Sequence, residues 1–279
     1  MNWQRTKSIF ILTFLVLNLF LGYQLYQKND INNISRLTEQ PLEERLANNK
    51  ISLSEKLPKY KEKQTLISAQ RYKFSEEEKK SPSKNVSLDK EESTDITLHY
   101  DLSKPMDLPK KDTKDLISEL SQFAEENISR GKEYAFYEWD KESNTVWFTQ
   151  VYQEKRIFYN PTNFDIVADA KDYDAPNGML KFKLDDKGNL TNLTQTYLFI
   201  TRQGAFQQII SPSKALEKLL ETNPKKGDHI QKVELGYYSL VGEGEVQVYT
   251  PTWFIKTKNG EYLVNATDSS IQVLTEKAE

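Results

Sequence analysis

The sequence of 279 residues contains no cysteine and only two histidines. The absence of cysteine excludes disulfide bonds, thiolate metal sites and cysteine nucleophiles. His99 and His229 do not share a His-x-x-x-His or similar ligand spacing, so we expect both to be structural or exposed. The sequence also has no Gly-x-Ser-x-Gly elbow. We therefore predict no catalytic residue, no metal site and no cofactor.

Neither sign of charge is in large excess: the net charge is -3 and the sequence pI is about 5.7. This balance argues against a nucleic-acid partner, which would favour a basic surface. A protein without disulfides that lies outside a membrane fits a bacterium without a periplasmic oxidation system better than a eukaryotic lumen.

One long apolar run is present, from Ser8 to Gln27, and it carries no charged residue. As a helix it reaches about 30 Å, the thickness of the hydrocarbon core of a bilayer, and we predict a transmembrane anchor. Arg5 and Lys7 precede it and Lys28 alone follows closely, which places the N-terminus in the cytoplasm. A cleaved signal peptide is the main alternative, but no small-x-small cleavage site follows the run. A buried core helix is the other alternative.

The predicted organisation follows the composition along the chain. Residues 1–7 form a cytoplasmic tail, 8–27 the anchor, 28–64 a stalk with a short helix from Thr38 to about Asn49, 65–175 a first module and 176–279 a second. Each module shows strands, one amphipathic helix and further strands. The helices begin at Asp112 or Thr113 and at Ser211 or Ser213.

We predict an α+β fold outside the membrane, built from two duplicated modules that each pack one helix on an antiparallel sheet. Residues 158–162 parallel residues 263–267, and Ile166 precedes Ile271 by the same interval. Chance similarity of two strand-rich segments is the alternative. The strand predictions include Leu190 to Thr201 as one strand after the hairpin turn at 185–188.

Two groups of side chains outside the anchor are candidates for binding. Carboxylates cluster at Asp165, Asp169, Asp172 and Asp174, but their spacing is not that of a calcium loop, and a solvated turn explains them. Most of the aromatic residues belong in the sheet core. A minority, for which we name Tyr237, Tyr238 and Trp253, would form a groove for a peptide or protein partner.

Asn18 is the polar residue at the middle of the predicted anchor. An amide at this depth usually faces another helix, because lipid leaves its hydrogen bonds unmade. The same helical face carries Phe14, Leu15, Leu21 and Gly22. We predict that this face binds a partner helix; the alternative is that Asn18 bonds its own backbone or tolerates lipid.

Several segments, in their order along the chain, resemble the YycI (WalI) family. These are Met-Asn-Trp-Gln-Arg-Thr-Lys leading into the anchor, Leu235-Gly236-Tyr237-Tyr238, Pro251-Thr252-Trp253-Phe254-Ile255 and Tyr262-Leu263-Val264-Asn265-Ala266. The resemblance implies a single-pass membrane protein of low-GC Gram-positive bacteria with a duplicated α+β fold and no enzyme activity. It further implies action with the anchored protein YycH on the histidine kinase of the WalK/WalR two-component system, which governs cell-wall metabolism, through the helix from Ile9 to Tyr26.

Two hypotheses therefore stand. In the first, the protein is a non-enzymatic regulator whose anchor and outer domain bias a kinase between two states. In the second, the outer domain binds a ligand or modifies the cell wall, using the aromatic groove or the cluster of aspartates.

Overall fold

The computed structural model describes residues 3–38, 42–80, 85–109, 113–159, 178–222, 227–240 and 245–276. The chain divides into two units, Met1–Asn49 and Lys50–Glu279. The first unit contains helix α1 (Trp3–Thr38) and helix α2 (Leu42–Asn48). The predicted apolar span lies inside α1. Helix α2 lies within the predicted short helix, but the predicted start at Thr38 is wrong, because Thr38 ends α1 and α2 begins at Leu42. Leu42 and Leu46, one turn apart, are buried.

The second unit contains fourteen strands and two α-helices among its described residues. The helices are α3 (Thr113–Asn127) and α4 (Pro212–Thr222). In chain order the strands are β1 (Ser52–Leu53), β2 (Lys63–Arg71), β3 (Val86–Leu88), β4 (Thr97–Met106), β5 (Tyr134–Asp140), β6 (Thr145–Tyr152), β7 (Lys155–Arg156), β8 (Met179–Leu184), β9 (Leu190–Thr196), β10 (Leu198–Gln208), β11 (His229–Tyr238), β12 (Val246–Thr257), β13 (Gly260–Asn265) and β14 (Ile271–Glu276). Antiparallel sheets with separate helices confirm the predicted α+β class.

The first sheet, here called the α3 sheet, has the strand order β3-β4-β9-β8-β6-β5, with β7 paired to β6. All of its pairs are antiparallel. Alternate residues of its strands share a buried core with α3. The residues that α3 contributes, at the spacing of one helical face, are Leu116, Leu120, Phe123 and Ala124.

The second sheet, here called the α4 sheet, has the order β1-β11-β12-β13-β14, and β2 pairs with both β12 and β10. Its pairs are antiparallel except for β1 with β11. The Ser211 hydroxyl accepts a hydrogen bond from the Lys214 N–H at 3.1 Å and so caps α4, as predicted. The buried face of α4 includes Leu216 and Leu219.

The strands of the α3 sheet lie in the sequence between two groups of strands of the α4 sheet. Strands β8 and β9 pair in the α3 sheet, whereas β2, from the start of the unit, pairs in the α4 sheet. The boundary between the sheets therefore does not fall at residue 176. The single strand predicted from Leu190 to Thr201 is wrong, because Tyr197 divides it into β9 and β10, which belong to different sheets. The duplication and the module boundaries stay predictions.

Candidate functional site

The apolar helix α1 is the first candidate surface. Its segment Lys7–Gln24 is long and apolar enough to cross a membrane, and none of that segment is buried. Between Ser8 and Gln24 no side chain is charged. A continuous exposed apolar surface of this length is unfavourable in water and favourable in a bilayer. The helix is therefore consistent with a single-pass membrane anchor.

The five predicted contact residues lie along one side of this helix. Phe14, Leu15 and Leu21 are 65%, 55% and 51% exposed. Gly22 has no neighbouring atom within 4 Å of the position of an added Cβ, so its surface is open to close approach. Among the described residues no side-chain hydrogen bond of the Asn18 amide is found.

Thr13 shows how a polar group in the same helix is satisfied locally. Its hydroxyl donates to the Ile9 carbonyl at 2.8 Å, one turn earlier. Asn18 makes no such bond. The structure thus places Asn18, Phe14 and Gly22 together on an exposed face. The binding of a partner helix to that face stays a prediction.

The predicted aromatic groove lies in the core. Tyr237, Tyr238 and Trp253 are 1%, 4% and 0% exposed. Trp253 donates its indole N–H to the Ile210 carbonyl at 3.0 Å, and the ring of Tyr60 packs edge-on against it. Burial also raises the pKa of Tyr237. These rings offer no open groove in this conformation, and their contact with a partner remains an untested prediction.

Both histidines are held by hydroxyl groups. His99 Nδ1 lies 3.2 Å from Thr194 Oγ1, on the face of the α3 sheet opposite α3. His229 bridges two serines, with Nδ1 2.7 Å from Ser52 Oγ and Nε2 2.8 Å from Ser54 Oγ. Since Ser52 lies in β1, this bridge supports the parallel pair of β1 and β11.

A shallow cavity of about 190 Å³ opens beside His99. Its lining is polar and mixed in charge: Glu92, His99, Tyr100, Asp101, Lys181, Lys183, Asn192, Leu193 and Thr194. Among the described residues no group of three or more histidine, aspartate or glutamate side chains is placed to hold a metal. The aspartates at 165, 169, 172 and 174 lie outside the described residues.

A cluster of polar and aromatic side chains around Arg130 was not predicted. The guanidinium lies between two rings, with Cζ 4.6 Å from the centroid of Tyr72 and 4.9 Å from that of Tyr197. Its Nε donates to Glu78 Oε1 at 3.1 Å. Tyr72 follows β2, and Tyr197 separates β9 from β10. Arg130 therefore joins the two points where the chain passes between the sheets.

The carboxylate of Glu78 is held from several sides. It accepts hydrogen bonds from the Tyr72 hydroxyl and from the backbone N–H and the hydroxyl of Ser75. Partial burial raises the pKa of Glu78, but these bonds and that from Arg130 outweigh burial, so the pKa lies below its usual value. Glu78, at the end of the acidic run 76–78, thus links this loop to Tyr72 and Arg130.

Gln150 forms a second junction between the sheets. Its side-chain amide donates to the Leu198 carbonyl at 3.0 Å and accepts from the Leu198 N–H at 2.8 Å. Gln150 belongs to β6 in the α3 sheet, and Leu198 begins β10 in the α4 sheet. Both residues are 2% exposed, so the side chain replaces a missing strand partner for buried backbone.

An apolar helix joined in sequence to an α+β domain is consistent with the class of membrane-tethered domains. The YycI family model, described as YycI protein, matches residues 29–267. The chain belongs to the YycI family. This is a regulatory family, and membership suggests a regulator of the WalK two-component system.

Two solved structures are distantly similar. One is the crystal structure of an uncharacterized protein from Eubacterium rectale, with 11% identity, a TM-score of 0.48, and coverage of 80% of this chain and 90% of its own. The other is the C-terminal domain of Bacillus megaterium YpeB, with 13% identity, a TM-score of 0.38, and coverage of 75% and 90%. The comparison with curated proteins finds no match.

Proposed function

We propose that this chain is a non-enzymatic, membrane-anchored regulator of a WalK-like sensor histidine kinase that controls cell-wall metabolism, acting with a YycH-like partner. Membership of the YycI family supports the regulatory role. Residues 1–7 lie in the cytoplasm of a Gram-positive bacterium, and the domain after the anchor lies outside the cell. The charge asymmetry of Arg5 and Lys7 against Lys28 supports this orientation.

The exposed face of α1 around Asn18 is the observation that carries the proposal. Transfer of a side-chain amide from water to hydrocarbon without a hydrogen-bond partner costs on the order of several kcal/mol of free energy. A neighbouring helix offers hydrogen bonds to Asn18, and Gly22, one turn away, lets its backbone approach closely. Phe14, Leu15 and Leu21 supply packing contacts around that point.

Regulation requires that the partner helices bind differently in the two states of the kinase. A helix that packs on only one arrangement of the kinase helices shifts the population toward that arrangement by the difference in binding free energy. The outer domain adds contacts with the YycH-like partner. The named contacts through Tyr237, Tyr238 and Trp253 belong to this proposal and require those rings to become accessible.

The test is photocrosslinking in intact cells. A photoreactive residue at position 18 is compared with one at position 16, which lies about 3 Å away along the helix axis but points to the opposite side of α1. We expect capture of a histidine kinase or a second anchored protein from position 18 only. Equal capture from both positions, or capture from position 16 alone, would contradict an interface centred on Asn18.

A companion variant addresses the polar contact itself. Asn18→Leu combined with Gly22→Leu should weaken the association with kinase and partner while leaving expression and membrane insertion intact, because leucine suits a lipid-facing helix. Unchanged association would show that α1 is only a tether.

The polar cavity beside His99 favours a second candidate function, binding of a small extracytoplasmic ligand by the outer domain. Lys181 and Lys183 lie across it from Glu92 and Asp101, so a zwitterionic wall fragment has complementary charges there. A thermal shift of the full chain with such fragments, lost in Lys181→Met, would support this function. No shift with any fragment would remove it.

A further inference from the structure

Strand β10 forms one edge of the α4 sheet and is unusually open. It pairs with β2 on one side, and no described strand pairs with its other side. Nine of its eleven residues are exposed. An unpaired edge presents backbone N–H and C=O groups that can accept another strand. The open edge of β10 therefore offers backbone groups for strand addition, except at Leu198, whose N–H and carbonyl are bound by Gln150.

The two halves of β10 differ in how well they could accept a strand. From Leu198 to Gln203 the strand keeps unbroken register with β2. Beyond Gln203 the register shifts, so that residues 204–206 stand opposite Thr65 alone and form a bulge. A bulge interrupts a regular edge. The first half contains neither proline nor lysine, the residues that usually protect such an edge.

Three exposed apolar side chains lie on one face of the sheet beside this half, in two rows that also contain polar residues. Phe199 stands opposite Gln70, which stands opposite Val246, and the next row on the same face ends at Val248. Phe199, Val246 and Val248 are 48%, 57% and 43% exposed. A strand added to β10 would extend these rows with every second side chain.

The charge of the surface selects the partner. Strands β2 and β10 and residues 246–249 of β12 carry three cations, Lys63, Arg71 and Arg202, and no acidic residue, although the whole chain has a net charge of -3. Arg202 lies on the face opposite Phe199, with its Cζ 5.5 Å from the centroid of the Phe206 ring. A second copy of this chain would bring two such sets of cations together, which is unfavourable.

We propose that the edge of β10 from Phe199 to Gln203 is a docking site for an extended segment of a partner protein in which apolar and acidic residues alternate. Its apolar side chains continue the row of Phe199 and Val246, and its acidic side chains lie on the face of Arg202. The strand pairs with β10 through main-chain hydrogen bonds. This site uses no residue of α1, so it does not depend on the contacts proposed for the anchor.

The probe is a labelled peptide of alternating valine and glutamate, about eight residues long, with a valine–lysine peptide of the same length as its counterpart. Binding to the full chain in lipid nanodiscs is measured by fluorescence anisotropy, and hydrogen exchange is followed at residues 199–203. We expect the acidic peptide to bind, the basic peptide to bind more weakly, and amides of β10 to become protected only with the acidic peptide.

Charge reversal sharpens the test. Arg202→Glu should weaken binding of the acidic peptide by about tenfold and strengthen binding of the basic one. Lys132→Glu, at an exposed lysine near the start of β5, makes the same change in net charge and should leave both affinities as they are. Unfolding measurements on each variant separate loss of fold from loss of the site.

Several results would overturn the proposal. They are no binding of the acidic peptide, binding without protection of residues 199–203, and equal effects of the two charge reversals. Protection of β10 that increases with protein concentration in the absence of peptide would identify a second copy as the occupant. Protection at the lowest concentration would mean that the chain itself already covers the edge. None of these results bears on crosslinking from position 18.

Discussion

The charged side chain of Arg130 is only 33% exposed, and its backbone adopts a left-handed conformation with φ of 60°. In this position the guanidinium contacts the rings of Tyr72 and Tyr197 and the carboxylate of Glu78. Arg130→Ala should therefore lower the free energy of unfolding by about 2 kcal/mol, the range for a hydrogen bond to a charged group. Urea unfolding of the full chain in micelles measures this change in the free energy of unfolding.

Lys132→Ala is the matched control for this prediction. Lys132 is exposed and two residues away, so its loss should change the free energy of unfolding by less than about 0.5 kcal/mol. Equal effects of the two alanine variants would show that Arg130 contributes no more than a surface residue.

The pH dependence of stability follows from Glu78. Its pKa is lowered in the folded state, so its contribution is present above the ordinary value of 4.5 and is lost as the pH falls through the folded pKa. The difference in stability between the natural chain and Glu78→Gln should be largest near neutral pH and shrink below about pH 4. Unfolding at a series of pH values checks it, and a constant difference would contradict the assignment.

Sequence alone identifies some of these residues and not others. Asn18 and Gly22 could be placed on one exposed face because helix geometry is local and the run around them is apolar. Arg130 and Glu78 are 52 positions apart, and their pairing depends on the path of two crossovers. For the same reason Trp253 could be recognised as an aromatic anchor, but its burial under Tyr60 could not.

At the scale of elements, the contact between β7 and β11 is tight. Ile157, next to β7, bridges to Tyr237, and the Phe158 N–H donates to the Tyr237 carbonyl at 2.7 Å. A Cβ atom at Gly236 would lie 2.4 Å from the Phe158 ring and 2.5 Å from the Arg156 carbonyl oxygen. Only glycine fits at this approach.

Gly236→Ala should destabilise the outer domain by about 1–3 kcal/mol, the usual cost of overpacking. Phe158→Leu added to Gly236→Ala should recover part of the loss, because it removes the nearest ring atoms. Thermal or urea unfolding of the single and double variants measures both effects. An alanine variant as stable as the natural chain would show that β7 shifts at little cost.

Elements with a local signal were predictable. Helices α3 and α4 were found from their apolar spacing and capping residues, and the hairpin of β8 and β9 from the turn at 185–188. The division at Tyr197 had no such signal, because β9 and β10 are both strand-forming and run on without a turn residue. The sheet to which each of these two strands belongs is determined by pairing with strands far away in the sequence, such as β4 for β9 and β2 for β10.

At the scale of the molecule, the sheets are coupled through buried junctions such as Gln150. Gln150→Leu keeps a buried side chain of similar size but leaves the Leu198 N–H and carbonyl without their hydrogen bonds. Each unpaired buried group lowers the free energy of unfolding by about 1–3 kcal/mol. We expect amides of both sheets in the natural chain to exchange at one common free energy of opening. In the variant the α4 sheet should open separately. Hydrogen exchange by mass spectrometry measures this, and a common opening in both proteins would contradict the coupling.

The order of the strands along the chain also sets an order of events on the ribosome. The α3 sheet is complete once residue 196 has been made, whereas β2 must wait for β10 and for the start of β12, and β1 for β11. The earliest strands after the anchor therefore remain without partners while the chain that follows them folds. A nascent chain of this protein carries a finished sheet and two unpaired strands from residue 196 until β10 is made, and β1 stays unpaired until β11 is made; during that interval the chain is open to mispairing.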